Sequence, residues 1–229
     1  GWEMKSKSIL TAIFGFLLGC EAFAQSAMRI AAQEGDDRFF PLLTAVYGQM
    51  KISVSYEILP SLRALSAVNE GAYQAEVGRI REISEKYQNI RYSKESLLNV
   101  ELMALTTKNS AYKLSKIEDL KNKRIGYVIG MSVAEYFVKN SSLDVFPVAT
   151  HQQLAQMLES GRVDVALMGT AFRDSPVFKI GHAGLKIASF DVFHIVNKKH
   201  ENLIPSFDAV LRQLKTNGQY EKLLPAAAN

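Results

Sequence analysis

The chain contains one cysteine, Cys20, and its net charge is small. A single cysteine excludes an internal disulfide and a zinc site built on cysteine ligands. Lysine and arginine number 27 against 23 aspartates and glutamates, a formal net charge of +4, and the basic residues are scattered, so a nucleic-acid partner is not expected. Glycine and proline are also few, 14 and 6, while 48% of the residues are hydrophobic, which excludes collagen-like and disordered chains.

Long apolar runs are missing too, except near the beginning. Ile9–Gly19 is apolar, follows two lysines and precedes the small-residue pattern Ala22–Ala24. It is shorter than the ~20 apolar residues that a membrane-spanning helix needs. We therefore predict that residues 1–24 are a secretory signal peptide, with 1–3 as extra residues before Met4, and that the mature protein is soluble and periplasmic.

Cys20 gives the same segment a second interpretation. Leu17–Cys20 resembles a lipobox, in which the cysteine is lipidated and becomes the first residue of the mature chain. Leu18 fits that pattern poorly, and Ala22–Ala24 competes with it as a cleavage site. We expect cleavage after Ala24, with a lipoprotein anchored through Cys20 as the alternative.

Strand and helix patterns alternate along the rest of the chain, which predicts an α/β protein with parallel sheets. The predicted strands are Met28–Ala32, Ile52–Leu59, Tyr73–Ile80, Leu97–Thr107, Arg124–Ile129, Val145–Val148, Val163–Met168 and Lys186–Asn197. The predicted helices are Phe39–Met50, Pro60–Glu70, Ile117–Leu120, Val133–Lys139, Gln152–Ser160 and Pro205–Leu224.

The two halves of the chain share one order. Gly71 and Gly161 each follow a predicted helix and precede an apolar strand. Any two βαβ units would look alike in this way, so the pattern leaves open whether the halves are related. Two lobes built on one plan would place a ligand cleft between them, at the carboxyl ends of the strands.

Four segments resemble a known family: Pro60–Arg79, Ile117–Ser132, Leu154–Met168 and Leu211–Leu224. The last three contain DLKNKRIGYVIGMS, LESGRVDVAL and NGQYEKL. Their order and spacing are similar to those of type II periplasmic substrate-binding proteins of the bacterial extracellular solute-binding family 3. The first segment is similar to a compact branch of that family. The resemblance covers the chain from Met28 to Leu224.

The resemblance implies a two-lobed fold, in which each lobe is a βα sheet domain and two crossing strands join the lobes. The crossings are expected in Leu97–Lys108 and Lys186–Lys198, with hinge closure of the lobes on ligand binding. Lobe one would comprise residues 25–105 and 188–229, and lobe two residues 106–187. A monomer without a cofactor or metal is expected.

The resemblance also implies a function. We expect a periplasmic solute-binding protein that captures a small organic molecule for an ABC-type importer, so its membrane partner would be an ABC permease. The alternative is a ligand-sensing module of the same fold that serves a membrane signalling receptor. An enzyme, such as a cyclic-acid dehydratase, is a distant third, with Glu76 and Glu101 as its candidate carboxylates.

Arg79 is the first candidate for ligand binding. It stands where a predicted strand ends, and a guanidinium there is suited to a carboxylate or phosphate. Arg63, at a helix start, would assist it, which predicts an anionic ligand. The alternatives are that Arg79 pairs with an acid such as Glu82, or that Arg81 takes its place.

Further candidates lie at two turns. Gly130, Met131 and Ser132 precede a helix, where free N–H groups and a hydroxyl suit an anionic group, although Ser132 would equally serve as an ordinary N-cap. Phe39 and Phe40 open the first helix, where family members place an aromatic ring on the ligand. The sequence leaves open which of the two does so.

Gly169 and Thr170 complete the predicted ligand-binding set. They stand where amino-acid-binding members of the family carry an aspartate for the α-amine of the ligand, which argues against an α-amino acid here. The histidines show no metal-ligand spacing and are expected on surfaces or in local hydrogen bonds; they are His151, His182, His194 and His200.

Overall fold

The structure, a computed structural model, describes residues 26–224. The strands are β1 (Met28–Ala32), β2 (Val54–Ile58), β3 (Ala75–Ile80), β4 (Ile90–Thr107), β5 (Arg124–Val128), β6 (Asp144–Val148), β7 (Val165–Gly169) and β8 (Gly181–Asn197). The helices are α1 (Phe40–Gln49), α2 (Ser61–Glu70), α3 (Ser132–Lys139), α4 (His151–Glu159), α5 (Pro176–Ile180), α6 (Ile204–Thr216) and α7 (Tyr220–Leu223). Short 3₁₀ helices cover Asp36–Phe39, Arg81–Lys86, Ile117–Leu120, Thr170–Phe172 and Lys198–Leu203.

One sheet of eight strands runs through the molecule in the order β2-β1-β3-β8-β4-β7-β5-β6. β1 pairs in parallel with β2 and β3 at one end, and β5 pairs in parallel with β6 and β7 at the other. The long strands β4 and β8 are antiparallel to each other and lie between these two groups. The predicted two-lobed α/β fold with two crossing strands is therefore confirmed, and we call the half with β1 lobe one and the half with β5 lobe two.

The crossing strands bend along their length. The register between β4 and β8 shifts at several points, two of them between Leu102 and Leu105. Such irregularities bend a strand and increase its twist, which lets one continuous sheet serve two lobes. Both strands also begin earlier than predicted, β4 at Ile90 and β8 at Gly181. The start of β4 was missed because its first segment, Ile90–Ser96, is polar and lacks the apolar alternation of a strand.

Matching glycines end the helices that precede β3 and β7. Gly71 closes α2 with a φ of 83°, and Gly161 follows α4 with a φ of 70°. Both values lie in the left-handed region, where glycine has no side-chain clash, so the glycines stop the helices and turn the chain into the strands. Both strands are buried along their whole length.

The end of the chain departs from the sequence prediction. The single closing helix predicted over Pro205–Leu224 is wrong, because Gly218, with a φ of 75°, separates α6 from α7. The sequence also missed α5, which Ser175 caps by accepting a hydrogen bond from the Val177 N–H. Among the residues described, no helix is long and apolar enough to cross a membrane. The predicted signal peptide, with Cys20, lies outside the described residues.

Candidate functional site

A small, mostly apolar cavity lies between the lobes, where β3 and β7 end. Its volume is ≈ 40 Å³, which is room for about three water molecules. Apolar side chains from both lobes form most of its wall, among them Leu97 and Val100 from β4 and Val133 and Phe172 from lobe two.

Five of the nine predicted ligand-binding residues line this cavity. They come from the start of the first helix, from β3, from the turn before α3 and from the end of β7; they are Phe39, Arg79, Met131, Ser132 and Gly169. A sixth, Gly130, contacts the cavity residue Arg79 through its carbonyl oxygen. Within each lobe the parallel strands end at the edge that faces the other lobe. β3 and β7 run in opposite directions, because β8 and β4 lie between them in antiparallel pairing, so their carboxyl ends meet between the lobes and bring these distant positions together.

The other three predicted residues lie away from the cavity. Arg63 is exposed and lines a separate surface depression. Phe40 stacks on Tyr56 with ring centroids 4.0 Å apart, and the Thr170 hydroxyl accepts a hydrogen bond from the Glu101 N–H at 2.9 Å. Arg63, which was expected to assist Arg79 from the same lobe, therefore does not line the cavity with it.

Arg79 is almost completely buried, with 2% of its surface exposed, and its guanidinium joins the two lobes. Nε and Nη2 donate to Glu76 Oε1 at 2.8 and 2.5 Å, and Nη2 also donates to the Ser61 carbonyl at 2.8 Å. Nη1 donates to the Gly130 carbonyl at 2.7 Å and to Ser132 Oγ at 3.1 Å. These bonds engage all five N–H groups of the guanidinium.

A break in the strand register allows Glu76 to reach Arg79. Residues three apart in a regular strand point to opposite faces. Between these two residues, the register of β3 against β8 shifts. Gly78 lies in this segment, where a Cβ would stand 2.8 Å from Val192 and 2.9 Å from Leu97. The irregularity of β3 and its Gly78 therefore bring the side chains of Glu76 and Arg79 to the same face of the strand.

The lobes touch directly beside the cavity. Ser61 Oγ donates to the Gly130 carbonyl at 2.8 Å, and Arg38 Nη1 donates to the Ala171 carbonyl at 2.7 Å. Gly130 has a φ of 84°, and a Cβ there would lie 2.6 Å from Ser61 Cβ. The two lobes are therefore closed on each other.

Comparisons with known proteins identify the fold. No family model matches the sequence. A protein of Shewanella oneidensis described as uncharacterized is 22% identical over 192 residues, 79% of this chain and 72% of the relative. Among solved structures, a mutant of the arginine-binding protein of T. maritima has a TM-score of 0.73 at 17% identity, over 86% of this chain and 93% of that one.

Two further solved structures agree. A histidine kinase sensor domain with similarity to periplasmic binding proteins has a TM-score of 0.73 at 17% identity, over 86% of this chain and 94% of that one. The substrate-binding protein of an amino acid ABC transporter has a TM-score of 0.72 at 15% identity, over 86% and 97%. The chain has the type II periplasmic-binding-protein fold.

In this periplasmic-binding-protein fold, Arg79 does not stand free for a ligand. Its partner acid is the buried Glu76 rather than Glu82, and Arg81 is occupied elsewhere, donating to the Ser93 carbonyl at 2.7 Å. The expectation of an anionic ligand rests on the assumption that this guanidinium is unpaired. That assumption is wrong, because the sequence pattern of a strand does not reveal the bend that brings Glu76 to Arg79.

Glu76 is itself unusual, since none of its surface is exposed. Burial raises the pKa of its carboxyl, and the neighbouring Arg79 charge opposes that rise. Within residues 26–224, its Oε2 atom has no hydrogen-bond partner. A buried, unpartnered oxygen is costly, and here it belongs to an ion pair that faces the cleft between the lobes.

Sequence reasoning missed Asp36, which also lines the cavity. Its Oδ2 accepts a hydrogen bond from the Gln33 N–H at 2.9 Å. Burial raises the pKa of Asp36 to about 8, against the opposing effect of the Gln33 hydrogen bond. The carboxyl is therefore mostly protonated at neutral pH. In the sequence it lies in Glu34–Asp37, a segment typical of a turn with a helix N-cap signal.

The sequence predicted the histidines on surfaces or in local hydrogen bonds, and His194 is buried and hydrogen-bonded. His194 is buried in lobe one, with Nε2 2.7 Å from Tyr47 Oη and Nδ1 3.0 Å from the Val77 carbonyl. Burial lowers its pKa to about 4, so it is neutral and structural. In the described part of the chain, no group of three or more histidine, cysteine or acidic side chains is arranged to hold a metal ion.

Proposed function

We propose that this chain is a periplasmic solute-binding protein of the bacterial extracellular solute-binding family 3. It captures a small organic molecule between its lobes, acts as a monomer and delivers the molecule to an ABC-type importer. The observation that carries the proposal is the cavity between the two lobes of a periplasmic-binding-protein fold. The likeness to the substrate-binding protein of an amino acid ABC transporter supports the importer as partner.

The ligand enters when the lobes separate. The closed cavity of ≈ 40 Å³ is far smaller than the roughly 300–1,000 Å³ of ordinary ligand pockets. Opening about β4 and β8 breaks the bonds from Arg79 to Gly130 and Ser132. A hydrogen-bond acceptor of the ligand then takes those positions on Nη1. Since Gly169 supplies no carboxylate for an α-amine, the ligand is not an α-amino acid. Because Glu76 already pairs with Arg79, the ligand does not need a negative charge to balance that guanidinium.

We propose binding rather than catalysis. The two carboxylates considered for a dehydratase are both engaged: Glu76 with Arg79, and Glu101 with Lys186 at 2.6 Å. A general acid or base must reach the proton it transfers. Neither Glu76 nor Glu101 is among the residues that line the cavity.

A sensing role is the second candidate. The likeness to a histidine kinase sensor domain favours it. Deleting the gene separates the two roles, because an importer component is needed for uptake of the labelled ligand, whereas a sensor is needed for the transcriptional response to it. Loss of response with normal uptake would replace the importer by a membrane signalling receptor.

Location is a separate part of the proposal. We propose export to the periplasm with cleavage after Ala24, leaving Gln25 as the first residue. Mass spectrometry of the purified mature protein tests this directly. A diacylated Cys20 would instead make it a membrane-anchored lipoprotein.

The cleft itself is tested by filling it. A screen of small organic molecules by thermal unfolding identifies the ligand, because binding to the folded state raises its stability. Gly169→Leu should then abolish binding: Gly169 lines the cavity, and a Cβ there meets its nearest neighbour, Val133, at an ordinary 3.4 Å. Gly48→Leu is the matched control, since Gly48 is exposed on α1 with nothing within 4 Å. Binding that survives in both variants would rule out the cleft.

A further inference from the structure

The cavity between the lobes carries no net positive charge. Within the described chain, the charged residues on its wall are Asp36 and Arg79. The positive charge of Arg79 is balanced by Glu76, whose Oε1 accepts two guanidinium hydrogen bonds. Asp36 is mostly neutral at neutral pH because burial raises its pKa to about 8. If Asp36 were ionised, the site would be negative.

An anion is therefore disfavoured in this cleft. A ligand carboxylate beside Arg79 would share the guanidinium with Glu76 and add an uncompensated negative charge to buried surroundings. The rest of the wall offers it little, because it is built from side chains such as Phe39, Leu97 and Phe172. An uncharged ligand brings no such charge into the buried cleft and therefore does not carry this energetic cost.

We infer that the cleft selects a small uncharged molecule with a largely apolar surface, and that Glu76 excludes anions by occupying the Arg79 guanidinium. This inference rests on the proposed function and names its ligand class. The ligand accepts a hydrogen bond from Arg79 Nη1 in place of the Gly130 carbonyl and Ser132 Oγ. Glu76 stays on the opposite edge of the guanidinium, so it acts as a specificity-determining residue.

Pairs of acids and amides of nearly equal shape test the inference. Acetate with acetamide, butyrate with butyramide and benzoate with benzamide are titrated at equal ionic strength, by thermal unfolding and calorimetry. The proteins are the wild type, Glu76→Gln and Asp164→Asn. Asp164 is the control because it pairs with Arg124 at 2.7 Å outside the cleft, where Arg124 is half exposed.

In the wild type and Asp164→Asn, the amide of a pair should stabilise the protein more than its acid. In Glu76→Gln the order should reverse, with a fall of about tenfold or more in the Kd of the acid, since one uncompensated buried charge is worth at least that factor. If no probe stabilises the wild type, the result for Glu76→Gln decides. Stabilisation of this variant by the acids supports the inference, and a variant that no acid stabilises refutes it.

An acid that binds the wild type more tightly than its amide, and is lost in Gly169→Leu, would overturn the charge selection alone. Probe binding that persists in Gly169→Leu would refute the cleft and with it the proposed function. If Glu76→Gln does not fold in buffer, its refolding yield is compared in acetate and acetamide. Rescue by acetate supports the inference, and equal yields contradict it.

Discussion

At the scale of single residues, the cleft is defined by ionisable groups that are buried together. Glu76 and Arg79 form an ion pair with almost no exposed surface, and Asp36 lies on the same cavity. A buried pair is seldom more stable than well-packed apolar residues, because both charges lose their hydration. The pair is therefore better explained by what it does in the cleft than by a contribution to folding.

Asp36 should make stability depend on pH. Its pKa is about 8 in the folded protein, against 3.8 for an aspartate in water. The folded state thus keeps a proton that the unfolded state releases, so the stability that neutral Asp36 provides is complete below pH ~4 and is lost as the pH rises to ~8. Between about pH 6 and 8 this group should remove about 2–3 kcal/mol from the free energy of unfolding.

Urea unfolding at several pH values measures this effect. Asp36→Asn keeps an acceptor for the Gln33 N–H and should abolish the loss between neutral and alkaline pH. Asp37→Asn, at the exposed neighbouring position, should retain it. Equal pH profiles for the two variants would mean that Asp36 is ionised in the folded state.

At the scale of elements, the sequence predicted most of the fold, and five of the nine residues that it proposed for ligand binding line the cavity. β1 was predicted with its observed ends, and the glycines that stop α2 and α4 were identified correctly. Periodicity reports which residues face a core, so it is informative for regular, amphipathic elements. It could not locate the polar beginning of β4 or the break between α6 and α7.

The ion pair shows why the rest of the site was beyond the sequence. Glu76 and Arg79 meet only because β3 is irregular between them, and a period of two assigns them to opposite faces. Asp36 joins them through the fold of lobe one, and Ser132 through closure of lobe two. Tertiary contacts of this kind have no local pattern.

The turn between β5 and α3 should be sensitive to a single methyl group. Gly130→Ala adds a Cβ in the left-handed region and 2.6 Å from Ser61 Cβ in the other lobe. The backbone strain alone is about 1–2 kcal/mol. Gly161→Ala carries the same strain, with a φ of 70° and nothing within 4 Å, so it is the matched control.

We expect Gly130→Ala to reduce the free energy of unfolding more than Gly161→Ala does. Gly130→Ala should also separate the lobes, whereas Gly161→Ala should not. Denaturant unfolding gives the first quantity, and small-angle scattering gives the second as a larger radius of gyration. Identical results for both variants would mean that the turn does not touch lobe one in solution.

At the scale of the whole molecule, the lobes are closed by the protein's own groups. Arg79 bridges them through Gly130 and Ser132, so closure does not depend on a ligand to complete the contacts. The decrease in radius of gyration that a two-lobed binder shows on binding its ligand should therefore be small for the wild type.

Arg79→Met should separate the lobes and expose the closing motion. The variant leaves Glu76 buried without its partner, which should lower the free energy of unfolding by about 3–5 kcal/mol. Small-angle scattering should give a larger radius of gyration than for the wild type, whereas Arg124→Met, at a half-exposed pair outside the cleft, should not change it. An unchanged radius for Arg79→Met would show that other contacts hold the lobes together.

The path of the chain through the crossing strands also determines the order in which the lobes are completed during synthesis. Thr107, at the end of β4, pairs with Gly181, at the start of β8. The chain between these two paired residues is continuous and contains β5, β6 and β7. α6, by contrast, packs against β4 and α1 from far along the chain. We therefore expect lobe two to fold as soon as it emerges from the ribosome, whereas lobe one should be completed only when α6 has been synthesised.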